Sequence, residues 1–150
     1  MPLLHTVTIA LHVLFAAAWF GLGLALPALS RAALAGGSPG GERVVSMMTG
    51  SILLFYAFAV LNFVLGTSIG FEYGWPYHVS LTLGLILVGV QLLLIRPGWS
   101  ALTADGESAE KGRRRIQMGI GIGHFVWIVI FVLMYVGRGV LGAPGAPLVP

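Results

Sequence analysis

The chain contains no cysteine and very little charge. The absence of cysteine from its 150 residues excludes disulfides, thiolate metal sites, covalently attached c-type haem and cysteine nucleophiles. Charged residues make up only 9% of the chain and hydrophobic residues 57%, whereas soluble domains have about 25% charged residues. This composition excludes a soluble globular domain, a disordered tail and a nucleic-acid-binding protein. It indicates an integral membrane protein in a lipid bilayer.

Four apolar runs are long enough to cross a hydrocarbon core, which takes about 20 helical residues. The first run has no basic segment before it and is too long for a cleaved signal sequence, so we expect it to be a retained helix. The sequence therefore predicts an all-α fold, an integral membrane four-helix bundle in a single domain. The predicted helices cover residues 3–29, 45–69, 77–95 and 117–141.

The basic residues are distributed unequally between the two sides of the predicted membrane bundle. The segments 30–43, 70–76 and 97–115 are predicted loops, and the last is the longest and most polar. Arg138 alone falls on the side of the second loop. By the positive-inside rule, both termini should lie outside, in a bacterial-type inner membrane with a periplasm. The basic residues on the side of the first and third loops are Arg31, Arg43, Arg96, Lys111, Arg113, Arg114 and Arg115.

The predicted spans contain no carboxylate, which argues against a proton-driven carrier built on intramembrane Asp or Glu. Polar side chains inside a bilayer are costly and are therefore candidates for function. The candidates are the histidines, one amide on each of the second and third spans, and one arginine. They are His5, His12, His78, His124, Asn62, Gln91 and Arg138.

His12 and His124 are predicted to lie near the membrane midplane. At 1.5 Å per residue, His12 would lie roughly 13 Å below the outer face and His124 roughly 10 Å above the inner face. The two residues belong to different, antiparallel helices. A bis-histidine b-type haem needs two such imidazoles from facing helices. The alternative is that each histidine simply forms a hydrogen bond between helices.

Other residues near these histidines suggest how a haem would be held. Gly119 and Gly123 would leave room for a flat macrocycle, and Asn62 is placed to accept a hydrogen bond from the free N–H of an imidazole. Arg138 would meet a haem propionate at the outer interface. Each residue also has a structural interpretation, because small residues pack membrane helices together and interfacial arginines anchor them.

His5 and His78 form a second candidate pair at the outer interface. They would bind copper or zinc, line a quinone pocket or ligate a second haem. Interfacial histidines also commonly face headgroups and water. Met47 and Met48 fall near the inner face, far from this pair, so a His/Met copper site outside the membrane has little support.

The first helix carries a recognisable pattern. His12 is followed after six residues by Trp19, and Pro-Ala-Leu follows at 27–29. This segment resembles the opening helix of the HemJ-type protoporphyrinogen oxidases and the related copper-resistance D (CopD-like) membrane domains. The resemblance extends to Gly74-Trp75 and to the basic segment 113–115. It implies a four-helix haem-binding architecture in which His12 ligates the haem.

The chain departs from the HemJ-type pattern at three places. Ala28 replaces the arginine of the family's Pro-Arg-Leu, and the family's lysine near the start of the third helix has no counterpart after Trp75. The family's Asn-Glu pair is replaced by Ile-Gln-Met at 116–118. The resemblance therefore supports haem binding more than porphyrinogen oxidation.

The sequence as a whole predicts a small integral membrane b-type haem protein that transfers electrons, with His12 and His124 as axial ligands. Its partners would be quinone or a redox protein, and it would act as a subunit of a larger membrane complex. The alternatives are a divergent HemJ-like porphyrinogen oxidase, a structural or assembly subunit without a cofactor, and CopD-like copper handling.

Overall fold

The part of the chain that the structure describes consists of helices and short connections between them. The structure, a computed structural model, describes residues 2–37, 40–70, 72–104 and 107–139, with no side chains for residues 2 and 136–139. The helices are α1 (Pro2–Leu34), α2 (Gly41–Ser68), α3 (Trp75–Val90), α4 (Arg96–Leu102) and α5 (Glu107–Gly139), and a π-helical turn, Gln91–Ile95, joins α3 to α4. The described chain forms four helical rods that are long and apolar enough to cross a membrane. The rods are α1, α2, the continuous unit of α3, the π-helical turn and α4, and α5. The predicted four-helix architecture is confirmed to that extent.

Glycines with positive φ end the first two helices. Gly36 follows α1 with a φ of 84°, and Gly70 follows α2 with a φ of 83°. Only glycine adopts this conformation without steric cost, so the chain can turn there. The 33 residues of α1 span about 50 Å at 1.5 Å per residue. This helix is longer than the predicted run because it continues through Arg31 to Leu34.

The predicted loop at 97–115 is wrong over most of its length, because α4 and the first turns of α5 occupy it. Pro97 lies in the first turn of α4, directly after the π-helical turn. Glu110 pairs with Arg113 at 2.7 Å and with Arg114 at 3.3 Å. These pairs, three and four residues apart, stabilise a polar helix that the charge pattern alone had marked as a loop.

The π-helical turn Gln91–Ile95 directly precedes α4, whose second residue is Pro97. The backbone N–H of Arg96 bonds to the carbonyl of Gln91, five residues back. Pro97 cannot donate to the carbonyl of Leu93, so the wider turn relieves the contact that a proline makes inside a regular helix. The turn places the Gln91 side chain in the core of the bundle, where it is 0% exposed.

The rods pack as antiparallel neighbours, α1 along α2 and α3–α4 along α5, with α1 also touching α5. Their outer faces are apolar, and Leu93, Phe125 and Tyr135 are among the most exposed side chains. An apolar exterior of this extent suits lipid and not water. Seven of the eight basic residues of the chain lie at one end of the bundle, where α1 ends and α5 begins.

Two glycines bring α4 and α5 into backbone contact. A β-carbon added to Gly112 would lie 2.6 Å from the carbonyl oxygen of Gly98 and closer still to the backbone nitrogen of Leu102. Small residues allow such close approach in membrane helices, where van der Waals packing drives association. The α4–α5 contact therefore depends on the absence of a side chain at residue 112.

We expect Gly112→Ala to destabilise the bundle by about 1–3 kcal/mol, because backbone atoms cannot move aside for the new methyl group. The measurement is thermal or denaturant unfolding of the purified protein in detergent. Gly121→Ala is the matched control, since a β-carbon there meets nothing within 4 Å. Equal stability of the two variants would show that α4 and α5 do not approach as closely as described.

Candidate functional site

A buried polar cluster joins three of the four rods. The indole N–H of Trp19 in α1 donates to Gln91 Oε1 at 3.0 Å, and Gln91 Nε2 donates to Thr49 Oγ1 of α2 at 3.0 Å. Thr49 Oγ1 in turn donates to the carbonyl of Val45 at 2.8 Å. Trp19 is 1% and Gln91 0% exposed, so each of these polar atoms depends on its partner inside the protein. We call Trp19, Gln91 and Thr49 the Trp19 cluster.

His124 of α5 lies beside this cluster. Its ring packs against Phe20 with centroids 4.5 Å apart and meets Trp19 edge-on at 6.2 Å. Its Nε2 is buried and, among the described residues, has no hydrogen-bond partner. A buried polar atom without a partner costs free energy, about 1–3 kcal/mol, so it is a candidate for binding a ligand.

The Nε2 atom of His124 points at a glycine of α1. A β-carbon added to Gly23 would lie 2.9 Å from that atom and 3.4 Å from Cε of Met48, which is 1% exposed. An imidazole nitrogen and the terminal methyl group of a methionine therefore border the same small residue. Imidazole and thioether are both ligands of haem iron and of copper(I). The sequence pattern did not reveal this pair, because Met48 and His124 are 76 residues apart and belong to different helices.

His12 makes a different set of contacts. Its Nδ1 lies 3.1 Å from the carbonyl oxygen of Phe55 in α2, and its ring stacks on that of Phe55 at 4.6 Å. When Nδ1–H donates to this carbonyl, Nε2 carries the lone pair, which is the tautomer of most metal-ligating histidines. The hydrogen bond also explains how this intramembrane histidine is satisfied without a cofactor.

The structure does not bring His12 and His124 together. The Nε2 atom of His124 lies at the level of Gly23, which follows His12 by 11 residues in one continuous helix. That spacing is about 16 Å along the helix axis, whereas metal–imidazole bonds are about 2 Å long. In this arrangement the two residues cannot ligate one iron, so the pair does not fit a single bis-histidine haem. The ligation of haem by either residue stays a prediction.

The residues predicted to assist the haem lie apart from one another. Asn62 is 9% exposed, and its amide is hydrogen-bonded to the hydroxyl of Thr8, not to an imidazole. A β-carbon on Gly119 would lie 2.8 Å from Ile95, and one on Gly123 would lie 2.6 Å from the indole of Trp19. Side chains therefore fill the space beside both glycines. The side chain of Arg138 lies outside the described residues.

The second predicted pair lies at the opposite end of the bundle from the basic residues. The carbonyl of His5 accepts a hydrogen bond from Thr8 at 2.9 Å, and the exposed ring of His78 meets Phe63 edge-on at 5.2 Å. Tyr73 donates to the carbonyl of Asn62 at 2.7 Å, and partial burial raises the pKa of its hydroxyl. This end is rich in aromatic rings, as expected for a membrane interface. A role for His5 and His78 in metal binding stays a prediction.

Neither metal clustering nor similarity to other proteins narrows the function. Within residues 2–37, 40–70, 72–104 and 107–139, no three His, Cys, Asp or Glu side chains are grouped to hold a metal ion. The chain matches no protein-family model, and no curated protein or solved structure is significantly similar to it. The resemblance to HemJ-type and CopD-like proteins therefore stays a prediction.

Replacement of Gln91 by Leu should destabilise the protein by about 1–3 kcal/mol, because it leaves the buried N–H of Trp19 without an acceptor. Unfolding in detergent, followed by tryptophan fluorescence, measures the change. Gln117→Leu is the control, since that side chain is exposed on α5. A Gln91→Leu protein as stable as the control would contradict the hydrogen bonds of the Trp19 cluster.

Proposed function

We propose that the chain is an integral membrane b-type haem protein that takes part in electron transfer. The observation that supports this best is the buried Nε2 of His124, which has no protein partner among the described residues and faces the small residue Gly23. The Nε2 of a neutral imidazole is a common axial ligand of haem iron. The proposal keeps the cofactor predicted from the sequence and assigns its ligation to His124 in place of the His12–His124 pair.

In this proposal the thioether of Met48 would supply the second protein ligand of the haem iron. Its terminal carbon and Nε2 of His124 both border Gly23, at 3.4 Å and 2.9 Å from the position of an added β-carbon. Histidine–methionine ligation gives a higher reduction potential than bis-histidine ligation. His12, held by the carbonyl of Phe55, would then stabilise the contact between α1 and α2 without touching the cofactor.

A bound haem would supply a one-electron couple inside the membrane. The protein would set its potential through the axial ligands, the burial of the site and the nearby hydrogen bonds of the Trp19 cluster. The electron partners would be a membrane quinone or a redox protein, and the chain would serve as a subunit of a larger membrane complex.

The first test is the optical spectrum of protein produced with ample haem and reduced with dithionite. We expect a sharp b-type α band and a low-spin Soret peak for the unmodified chain. His124→Ala should remove both, and Met48→Leu should convert the low-spin spectrum to a high-spin one. Gly23→Ala should disturb the spectrum because the added methyl group meets the imidazole, whereas Gly21→Ala, with nothing within 4 Å, should not.

His12→Ala, His5→Ala and His78→Ala are the histidine controls, and all three should retain the low-spin spectrum. Loss of the spectrum in both His12→Ala and His124→Ala would contradict the His124–Met48 assignment and restore the bis-histidine pair. No α band in the unmodified chain would reject a haem protein and leave a structural or assembly subunit as the better interpretation.

Copper(I) binding is a second candidate function, and the proximity of Met48 to His124 favours it. Thioethers are soft ligands that select copper(I), and this site lies inside the bundle, not at the outer His5–His78 pair. Metal analysis of the same preparations distinguishes the two candidates. Copper that is lost in Met48→Leu, in a protein without an α band, would support copper handling in place of electron transfer through haem.

We also propose that the basic end of the bundle faces the cytoplasm and both termini face the periplasm of a bacterial-type inner membrane. Seven of eight Lys and Arg residues support this orientation through the positive-inside rule.

The absence of native cysteine allows a direct test of the orientation. Ala104 and Glu72 are exposed in the connections at opposite ends of the bundle. On intact cells a membrane-impermeant maleimide should label Glu72→Cys and leave Ala104→Cys unlabelled until the membrane is opened. The reverse labelling pattern would show that the termini face the cytoplasm.

A further inference from the structure

A groove of about 730 Å³ lies between α2 and α4 at the basic end of the bundle. Val45 and Leu53 of α2 and Trp99 of α4 form apolar parts of its wall. Glu42 and Arg96 line it as well and bring opposite charges into one cleft. The groove therefore combines an apolar wall with one carboxylate and one guanidinium. Sites that hold a lipid at the membrane interface combine apolar and charged groups in this way.

The two charges in the groove do not neutralise each other. Glu42 and Arg96 are both exposed, and no ion pair joins them in the part of the chain that the structure describes. The carboxylate of Glu110 on α5, in contrast, pairs with Arg113 at 2.7 Å. One free carboxylate and one free guanidinium within a groove are complementary to a ligand that carries both a cation and an anion.

The hydroxyl oxygens in the groove can accept hydrogen bonds from a ligand. The hydroxyl of Ser100 donates to the carbonyl of Arg96 at 3.3 Å, and that of Thr103 donates to the carbonyl of Trp99 at 3.3 Å. Each hydroxyl has a single proton, so the oxygen lone pairs remain for a ligand. Both residues line the groove. These acceptors favour a cation with N–H donors over a quaternary ammonium, which has none.

We propose that this groove binds phosphatidylethanolamine. Arg96 binds the phosphate, Glu42 and the hydroxyl oxygens accept hydrogen bonds from the primary ammonium, and an acyl chain lies along Leu53 and the neighbouring apolar wall. This lipid is the common membrane component that carries a phosphate and a primary ammonium without net charge. The groove shares Thr49 with the Trp19 cluster, but neither His124 nor Met48 lines it. Lipid binding in the groove can therefore be tested whether or not the chain binds haem or copper.

The test is competitive lipid binding to the purified, delipidated chain, measured by native mass spectrometry. The probes are phosphatidylethanolamine, phosphatidylcholine and phosphatidylglycerol with identical acyl chains. We expect phosphatidylethanolamine to bind about tenfold more tightly than phosphatidylcholine, since a charge-assisted hydrogen bond contributes about that factor. Phosphatidylcholine keeps both charges and lacks the N–H donors, so it isolates the contribution of those donors.

Substitutions separate the roles of the two charges. Glu42→Gln should reduce phosphatidylethanolamine binding to the level of phosphatidylcholine, and Arg96→Gln should weaken binding of all three lipids. Arg43→Gln is the control, because Arg43 is exposed beside Glu42 and does not line the groove. Circular dichroism during thermal unfolding establishes that each variant is folded.

Three results would overturn the proposal. Equal binding of phosphatidylethanolamine and phosphatidylcholine would show that the N–H donors are not recognised. Preference for phosphatidylglycerol that survives Glu42→Gln would show a simple basic patch. A dimer that binds none of the lipids, and that Arg96→Gln dissociates, would assign the groove to contact between two copies of the chain.

Discussion

The hydrogen bond between Trp19 and Gln91 is the interaction on which the arrangement of the bundle depends. It joins α1 to the π-helical turn, and Gln91 continues the connection to Thr49 of α2. The indole also fills the space beside Gly123 of α5, so the Trp19 cluster and Gly123 together link all four rods. In an apolar interior an unpaired N–H or amide has no water to replace its partner. The hydrogen bonds of the Trp19 cluster and the packing of the Trp19 ring against Gly123 therefore set the register of the rods together.

The positions of the rods were predictable from the sequence because each needs only an apolar run of sufficient length. The end of α1 and the start of α5 were less predictable, because Arg31 and the charged residues between 107 and 115 are typical of a loop in a membrane protein. In the structure, ion pairs such as Glu110–Arg113 stabilise the helix at the start of α5. These contacts act over three or four residues, and a hydropathy pattern does not detect them.

The predicted depth of His12 relative to His124 differs most from the structure. The estimate assumed that each helix enters the membrane where its apolar run begins, which placed His12 and His124 at nearly the same level. In the structure, the packing of Trp19 against Gly123 sets the register of α1 and α5, and it places His124 beside Gly23. Register between distant helices is a tertiary property, so no spacing within one helix reveals it. The proximity of Met48 to His124 was hidden for the same reason.

The length of α1 makes this protein sensitive to the thickness of the bilayer. Its apolar part, residues 3–29, spans about 40 Å at 1.5 Å per residue, and the hydrocarbon core is about 30 Å thick. Such hydrophobic mismatch is relieved by tilting the helix or by locally thickening the bilayer. Since α1 carries Trp19, Phe20 and Gly23, a change in its tilt moves the residues that surround His124. Membrane thickness thus affects the positions of the side chains around His124, because it acts on the ends of α1, which lie far from that residue.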